Sequence, residues 1–308
     1  MLNAAMSRLP SRLRRLERRV TWIFGSPRSG STWLYLMLSE LDDVVSMNEP
    51  LLGHYLAPFL CDQPGVDISS LDVSTFTIRR VDSGRPDQFF ADQFADVWQP
   101  ELRRLINARV LAHVASAMST RPTRAAIVIK EPNGSQSADL IMRAQPDAHL
   151  LFLLRDGRDV VDSAVAANTA GSWATTVFPG VVGVEGAARS SYVQNAAYKW
   201  LWQTEVVEQA FAEHRGPKKL VRYEHMLEDP VGHLGEIASW MGINASREQV
   251  QDVANRLDFA KIPATERGQD KFFRSAQPGS WRRNLDPACQ ELMMNVLGEK
   301  LRALGYTS

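Results

Sequence analysis

The sequence predicts an α/β fold: a single doubly wound domain with a mainly parallel central sheet flanked by helices. Three observations lead there. Short apolar, β-branched runs alternate with segments of helical period along the chain. The first run stops at Gly25-Ser26-Pro27 and passes straight into a helical segment, the order of a phosphate-binding strand, loop and helix. The residues best suited to chemistry fall at the ends of the runs: Arg28 after the first, Glu49 after the second, Lys130 closing the third and Arg155 after the fourth. Ligands on open parallel sheets bind beyond those strand ends.

Taken in order, Val20–Phe24 is a buried strand, with Trp22 and Phe24 expected to face the core. Ser31 to Leu41 follows as a helix, its apolar positions Leu34, Leu38 and Leu41 at helical spacing and Ser31 or Thr32 as its cap. Val44–Met47 is the second strand. A long helical stretch from about Asp87 to Met118 is expected to break at Pro100, which lacks an amide hydrogen and crowds the preceding turn. Ile127–Lys130, Leu150–Leu154 and Leu220–Tyr223 supply three more strands, with helices around 188–214, 230–241 and 247–257. Asn168 to Gly186, rich in Gly, Thr and Val and carrying Trp173 and Phe178, is read as a long surface loop suited to act as a lid.

Composition narrows the function classes. A chain of 308 residues with 44% hydrophobic and 23% charged residues is ordinary globular material. Its net charge of zero argues against a nucleic-acid partner. Cys61 and Cys289 are too few for a disulfide framework and lack metal-ligand spacing, which points to a reducing, cytoplasmic setting. No apolar run approaches the roughly 18–20 residues of a membrane span. The glycosylation-type tripeptides at Asn133 and Asn244 are read as chance. Residues 1–19 form a basic segment, with Arg8, Arg12, Arg14, Arg15, Arg18 and Arg19 against Glu17 alone and Leu9, Leu13 and Leu16 at helical spacing. A solvated helix is the favoured reading and a weak membrane-surface contact the other.

The loop Gly25-Ser-Pro-Arg-Ser-Gly-Ser-Thr-Trp33 has the physics of an anion site. Gly30 lets the backbone approach closely, the amides of Ser29, Gly30, Ser31 and Thr32 open a helix, and the two hydroxyls add donors. It is not a Walker loop, because Ser31 follows the glycine where lysine would stand, and the cation sits two residues earlier at Arg28.

This segment resembles the 5′-phosphosulfate loop of sulfotransferases that use 3′-phosphoadenosine 5′-phosphosulfate (PAPS), whose pattern is P-[KR]-[ST]-G-[ST]-[ST]. Three further stretches carry the resemblance in order. Leu150-Leu-Phe-Leu-Leu-Arg-Asp-Gly-Arg-Asp-Val-Val-Asp-Ser163 is similar to the family's 3′-phosphate strand and helix, with Arg155 and Ser163 eight residues apart. Val221-Arg-Tyr-Glu-His-Met-Leu-Glu-Asp-Pro230 resembles a stretch whose tyrosine, here Tyr223, contacts adenine. Phe273-Arg-Ser-Ala-Gln-Pro-Gly-Ser-Trp281 resembles the closing R-K-G-x-x-G-x-W loop, with Arg274 and Gly279 in place. Ser275 and Ala276 replace the family's lysine and glycine there; Arg282 and Lys271 are the residues considered as substitutes. Together the four stretches span about Val20 to Leu285, closest in pattern to bacterial and carbohydrate-directed members.

The resemblance implies a P-loop-like fold, a basic segment 1–19 ahead of a sulfotransferase domain 20–308, PAPS as cosubstrate and its product PAP. It implies donor-site roles for Arg28, Ser29, Gly30, Ser31, Thr32, Trp33, Arg155, Ser163, Tyr223, Phe259, Arg274 and Gly279. Sulfonyl transfer is an in-line displacement that needs a cation at the leaving oxygen, a cation at the sulfonyl oxygens and a base for the acceptor proton. Arg28 and Lys130 fit the first two. The histidine that cytosolic members place two residues after the lysine is Pro132 here. Glu49, in the Glu49-Pro50 dipeptide after the second strand, matches the glutamate base of carbohydrate-directed members, with His54 as the alternative. That pattern leans toward a sugar, glycolipid or natural-product hydroxyl as acceptor. His54, Tyr55, Phe59, Phe76, Phe89, Phe90, Trp98, Trp173 and Phe178 are expected to flank the acceptor side, some lining its pocket and more of them belonging to the core. Two rival readings stay open: a P-loop-like kinase using Asp156 on a metal, and a catalytically inactive PAP-binding protein.

Overall fold

The computed structural model describes residues 11–57, 86–117, 125–177, 183–186, 188–268, 270–271, 273–274 and 276–306. The chain runs α1 (Ser11–Glu17), β1 (Val20–Phe24), α2 (Ser31–Ser39), β2 (Val44–Asn48), α3 (Leu52–Leu56) and α4 (Ala95–Ala117). It continues β3 (Ala126–Lys130), α5 (Ala138–Ala144), β4 (His149–Leu154), α6 (Gly157–Ala167), α7 (Trp173–Val177) and α8 (Ala188–Glu213). Then come β5 (Lys218–Arg222), α9 (Tyr223–Glu228), α10 (Pro230–Trp240), α11 (Arg247–Arg256), α12 (Trp281–Asn284) and α13 (Pro287–Ala303). Short 3₁₀ turns lie at Asp92–Phe94, Pro132–Ser137 and Phe259–Lys261.

The five strands pair in parallel in the order β2-β3-β1-β4-β5. β1 sits at the centre and the chain winds outward from it both ways, so the crevice at its C-terminal end is the ligand position of this topology. Both faces of the sheet are covered, which is why the strands read as continuous apolar runs. Alternate residues go to opposite layers: Trp22 and Phe24 pack with Ile127, Ile129, Leu150 and Phe152 under α4, α5, α8 and α13. Ile23, Val128, Leu151 and Leu153 pack under α2, α10 and α11. The Trp22 and Phe24 rings stack with centroids 5.8 Å apart.

Four expectations are corrected. α4 does not break at Pro100 but continues through it. Trp98, Leu102, Ile106 and Val110 on either side are buried in the core, and burying two or three such side chains outweighs the roughly 3 kcal/mol cost of an internal proline. β5 begins at Lys218 and ends at Arg222, because an edge strand accepts lysines that hid its start, and Tyr223 opens a helix instead. The cap of α2 is Gly30, at φ 90°, with Ser31 and Thr32 already inside the first turn. Asn168 to Gly186 is not all loop, since Trp173–Val177 forms α7; Phe178 lies outside the described residues.

The described end of the basic N-terminal segment, from Ser11 onward, is anchored to the body. Leu16 is buried in the core. Glu17 is fully buried and accepts from Arg103, from Asn107 Nδ2 at 3.3 Å, from Gln145 Nε2 at 3.0 Å and from the Asp147 amide at 3.2 Å. Burial pushes its carboxyl above the usual range, against the pull of Arg103. With its acid turned inward, the segment shows solvent Arg14, Arg15 and Arg18. No helix among the described residues is long and apolar enough to cross a membrane.

Candidate active site

The β1–α2 loop is built for close approach. Arg28 and Gly30 both take positive φ, 70° and 90°. A Cβ on Gly30 would collide with the Tyr223 ring, so glycine serves here both conformation and packing. Arg28 is held from the end of β4 and from α6: its carbonyl accepts from Arg155 Nη1 at 2.8 Å, and its Nε donates to Ser163 Oγ at 3.1 Å. Its guanidinium carbon lies 5.5 Å from the Trp173 ring centre. Tyr223 forms a wall, with Arg155 stacked at 4.4 Å and Trp33 edge-on at 6.2 Å; Trp33 Nε1 donates to the Leu257 carbonyl at 2.9 Å.

These residues enclose a cavity of about 550 Å³ between the loop, α6, α9, α11 and the segment 257–276. Its lining includes Arg28, Gly30, Ser31, Thr32, Trp33, Arg155, Ser163, Tyr223, Phe259 and Arg274, ten of the candidate donor-site residues. Burial, then the neighbouring charges of Arg155 and Arg274, pull the Arg28 guanidinium down to about 10. Burial also raises the Tyr223 phenol. Arg155 Nε is buried with no hydrogen-bond partner among the described residues. Three cations converging on one cleft, one with an orphaned donor, is an arrangement that an anion completes.

Two expected donor residues lie elsewhere. Ser29 is buried within the loop, its amide donating to the Ser26 carbonyl at 3.2 Å, and the Gly279 amide donates to Asp159 Oδ2 at 2.7 Å rather than opening to the cavity. Arg274 lines the cavity yet forks onto Asp162, Nη1 meeting Oδ1 at 3.0 Å and Nη2 meeting Oδ2. Asp162 also accepts from Asn284 Nδ2 at 3.0 Å. Both carboxylates project from α6, and burial raises that of Asp159. They fasten the closing loop to α6, a role that the sequence reading missed although both lie in a stretch it singled out. Arg282 and Lys271 do not line the cavity: the Arg282 guanidinium rests on Trp281 at 4.5 Å and Lys271 is exposed, while Ser275 lies outside the described residues.

The candidate catalytic residues meet next to that cavity. Lys130 Nζ lies 2.6 Å from Glu49 Oε1 and donates to Thr32 Oγ1 at 2.9 Å, joining the end of β3 to the phosphate loop and to the end of β2. Glu49 Oε2 accepts from Asn133 Nδ2 at 2.7 Å. Lys130 thus pairs with Glu49 and not with the adjacent Glu131. Glu131 turns away, fully buried, and takes the amides of Leu51 at 3.0 Å and Gly53 at 3.1 Å. His54 meets only Tyr55 as a described ring partner, edge-on at 5.7 Å, and makes no hydrogen bond with Glu49 or Lys130. Asn133 was read only as a chance glycosylation tripeptide; its real signal was its place three residues after the strand-end lysine.

Of the flanking aromatics, Trp173 reaches the site, Trp98 is core, Phe90 packs on Trp98 at 5.5 Å, and Phe89 and Tyr55 are exposed. Phe59 and Phe76 lie outside the described residues. Asp156 is engaged by Arg158, which donates to it from the backbone amide at 2.9 Å and from Nη2 at 2.8 Å.

A family model described as the sulfotransferase family matches residues 21–247. Among solved structures, a mouse sulfotransferase complexed with PAP superposes with a TM-score of 0.52 at 13% identity, covering 94% of this chain and 89% of that one. A sulfotransferase from Mycobacterium avium gives 0.51 at 15% identity, over 92% of this chain and 76% of that one. At such identities the likeness is one of fold. A search of curated protein sequences finds no match.

Proposed function

The chain belongs to the sulfotransferase family, and on that premise we propose that it moves a sulfonyl group from PAPS to a hydroxyl of a sugar, glycolipid or natural product, with Glu49 as the base. One observation carries this reading: the Glu49–Lys130 pair abuts, through Thr32, a cleft ringed by Arg28, Arg155 and Arg274. The cleft fits an anionic nucleotide, since Arg28, Arg155, Ser163 and Arg274 line it together, with the orphaned Arg155 Nε available to an oxygen.

When bound, PAPS supplies the sulfonyl group and its leaving phosphate. Arg28 and the amides of Ser31 and Thr32 offset the charge that grows on the leaving oxygen as its bond to sulfur breaks. In this reading Lys130, which holds Glu49 and Thr32 in the free protein, turns its long stem to meet the sulfonyl oxygens. Glu49 takes the hydroxyl proton as the acceptor oxygen bonds to sulfur. The preference for a sugar, glycolipid or natural-product hydroxyl rests on the Glu49-Pro50 pattern. A cytoplasmic location belongs to this proposal and rests on a sequence with two cysteines, too few for a disulfide framework. Contact of residues 1–19 with an anionic membrane would involve the exposed Arg14, Arg15 and Arg18; liposome binding that vanishes at high salt supports it, and no binding rejects it.

A PAP-binding protein without catalysis is favoured by one feature only, Ser275 and Ala276 in place of the family's lysine and glycine. A kinase reading is weakened by Arg158, which occupies the carboxylate of Asp156. Thermal-shift titration with PAP beside ATP and magnesium separates these: stabilisation by PAP alone supports the donor site, and stabilisation by ATP with magnesium alone overturns it. Transfer of radiolabelled sulfate to a hydroxyl acceptor excludes the inactive binder.

A further inference from the structure

Glu49 lies in a strained turn. Glu49 has φ 46° and Leu51 φ 60°, two side-chain-bearing residues in the left-handed region on either side of Pro50. Each costs about 1–2 kcal/mol unless its surroundings enforce it. The enforcement comes from one short segment at the end of β3. The Glu49 amide donates to the Lys130 carbonyl at 2.9 Å. Both oxygens of Glu131 are spent on the Leu51 and Gly53 amides. Ser137 Oγ donates to the Gly53 carbonyl at 2.8 Å. Gly53 and Gly134 meet backbone to backbone, and a Cβ on either would collide.

We propose that Glu131 is a positioning residue for sulfonyl transfer: by binding the Leu51 and Gly53 amides it fixes the turn that aims the Glu49 carboxylate at Lys130 and Asn133. The inference rests on the reading of Glu49 as the base. A fully buried carboxylate whose described partners are amides is costly to keep for stability alone. What it secures here is direction. Residues 130, 131 and 133 grip the Glu49 segment at its carboxylate, its following amides and its carboxylate again. Glutamine cannot replace it, because its NH₂ group faces an amide N–H where an acceptor is required.

The test measures turnover, acceptor KM and the PAP thermal shift of the full chain as wild type, Glu131→Gln, Glu49→Gln and the double variant. Expected is a kcat loss of about 10- to 100-fold in Glu131→Gln, with the PAP shift and acceptor KM kept. No further loss is expected when Glu131→Gln is added to Glu49→Gln. Wild-type kcat in Glu131→Gln beside an inactive Glu49→Gln overturns this inference alone. Losses that multiply in the double variant also overturn it, because Glu131 would then act independently of Glu49. Wild-type turnover in Glu49→Gln overturns the base assignment and this inference together. If Glu131→Gln does not fold, Glu131→Asp, which withdraws the carboxylate by one methylene, carries the same expectations.

Discussion

Lys130 and Glu49 form an ion pair of 2.6 Å at the C-terminal ends of adjacent strands, and the lysine, 2% exposed, also holds the Thr32 hydroxyl of the phosphate loop. β2 and β3 pair in parallel so that Asn48 stands beside Lys130, which brings the next residue, Glu49, to the lysine's head group. Register therefore joins a candidate base to a candidate sulfonyl-binding cation across 81 positions of sequence, from 49 to 130.

Replacing Glu49 with Gln should lower kcat by about 100-fold or more, the usual scale of a general base. The PAP thermal shift should remain, because Glu49 does not line the donor cavity. His54→Ala should stay near wild type. Steady-state sulfate transfer for both variants checks the assignment, and the opposite pattern would move the base to His54.

Arg155→Lys should weaken PAP binding by about 10-fold, since lysine cannot both hold the Arg28 carbonyl and present a planar fork over Tyr223. Isothermal titration with PAP measures this. An unchanged Kd would mean that Arg155 serves only the loop.

Arg274→Ala should lower stability by about 3 kcal/mol, because it leaves the buried Asp162 carboxylate without its cation. Adding Asp162→Asn should recover much of that loss. Urea unfolding of the single and double variants decides, with equal destabilisation in both counting against the pair.

Glu131 should give stability a pH slope. Burial, opposed by its two amides and reinforced by the nearby charge of Glu49, raises its carboxyl from 4.5 to about 7. Between those values the unfolded chain releases the proton while the folded chain keeps it. Stability from this group is therefore greatest below about 4.5, falls as pH rises toward 7, and is level above, by at most about 1.4 kcal/mol per pH unit. Unfolding free energies from pH 5 to 8 for wild type and Glu131→Gln should differ by that slope; parallel profiles would place the carboxyl in its ordinary range.

By itself the sequence determined the family, the parallel sheet and the strand ends that carry chemistry. Those features depend on local rules: apolar runs of strand length, a glycine where a loop turns into a helix, and arginines and hydroxyls at short spacing within single segments such as Gly25–Trp33 and Leu150–Ser163. Tertiary structure alone decided which groups face one another. Nothing local to Asn133 or Glu131 announces that they grip Glu49, because that contact follows from the pairing of β2 with β3 and the meeting of Gly53 with Gly134. Nor does any local pattern send Arg274 and the Gly279 amide onto Asp162 and Asp159 across more than a hundred residues. Hydrogen bonds and ion pairs act over about 3 Å in space, and along the chain only the fold sets that distance.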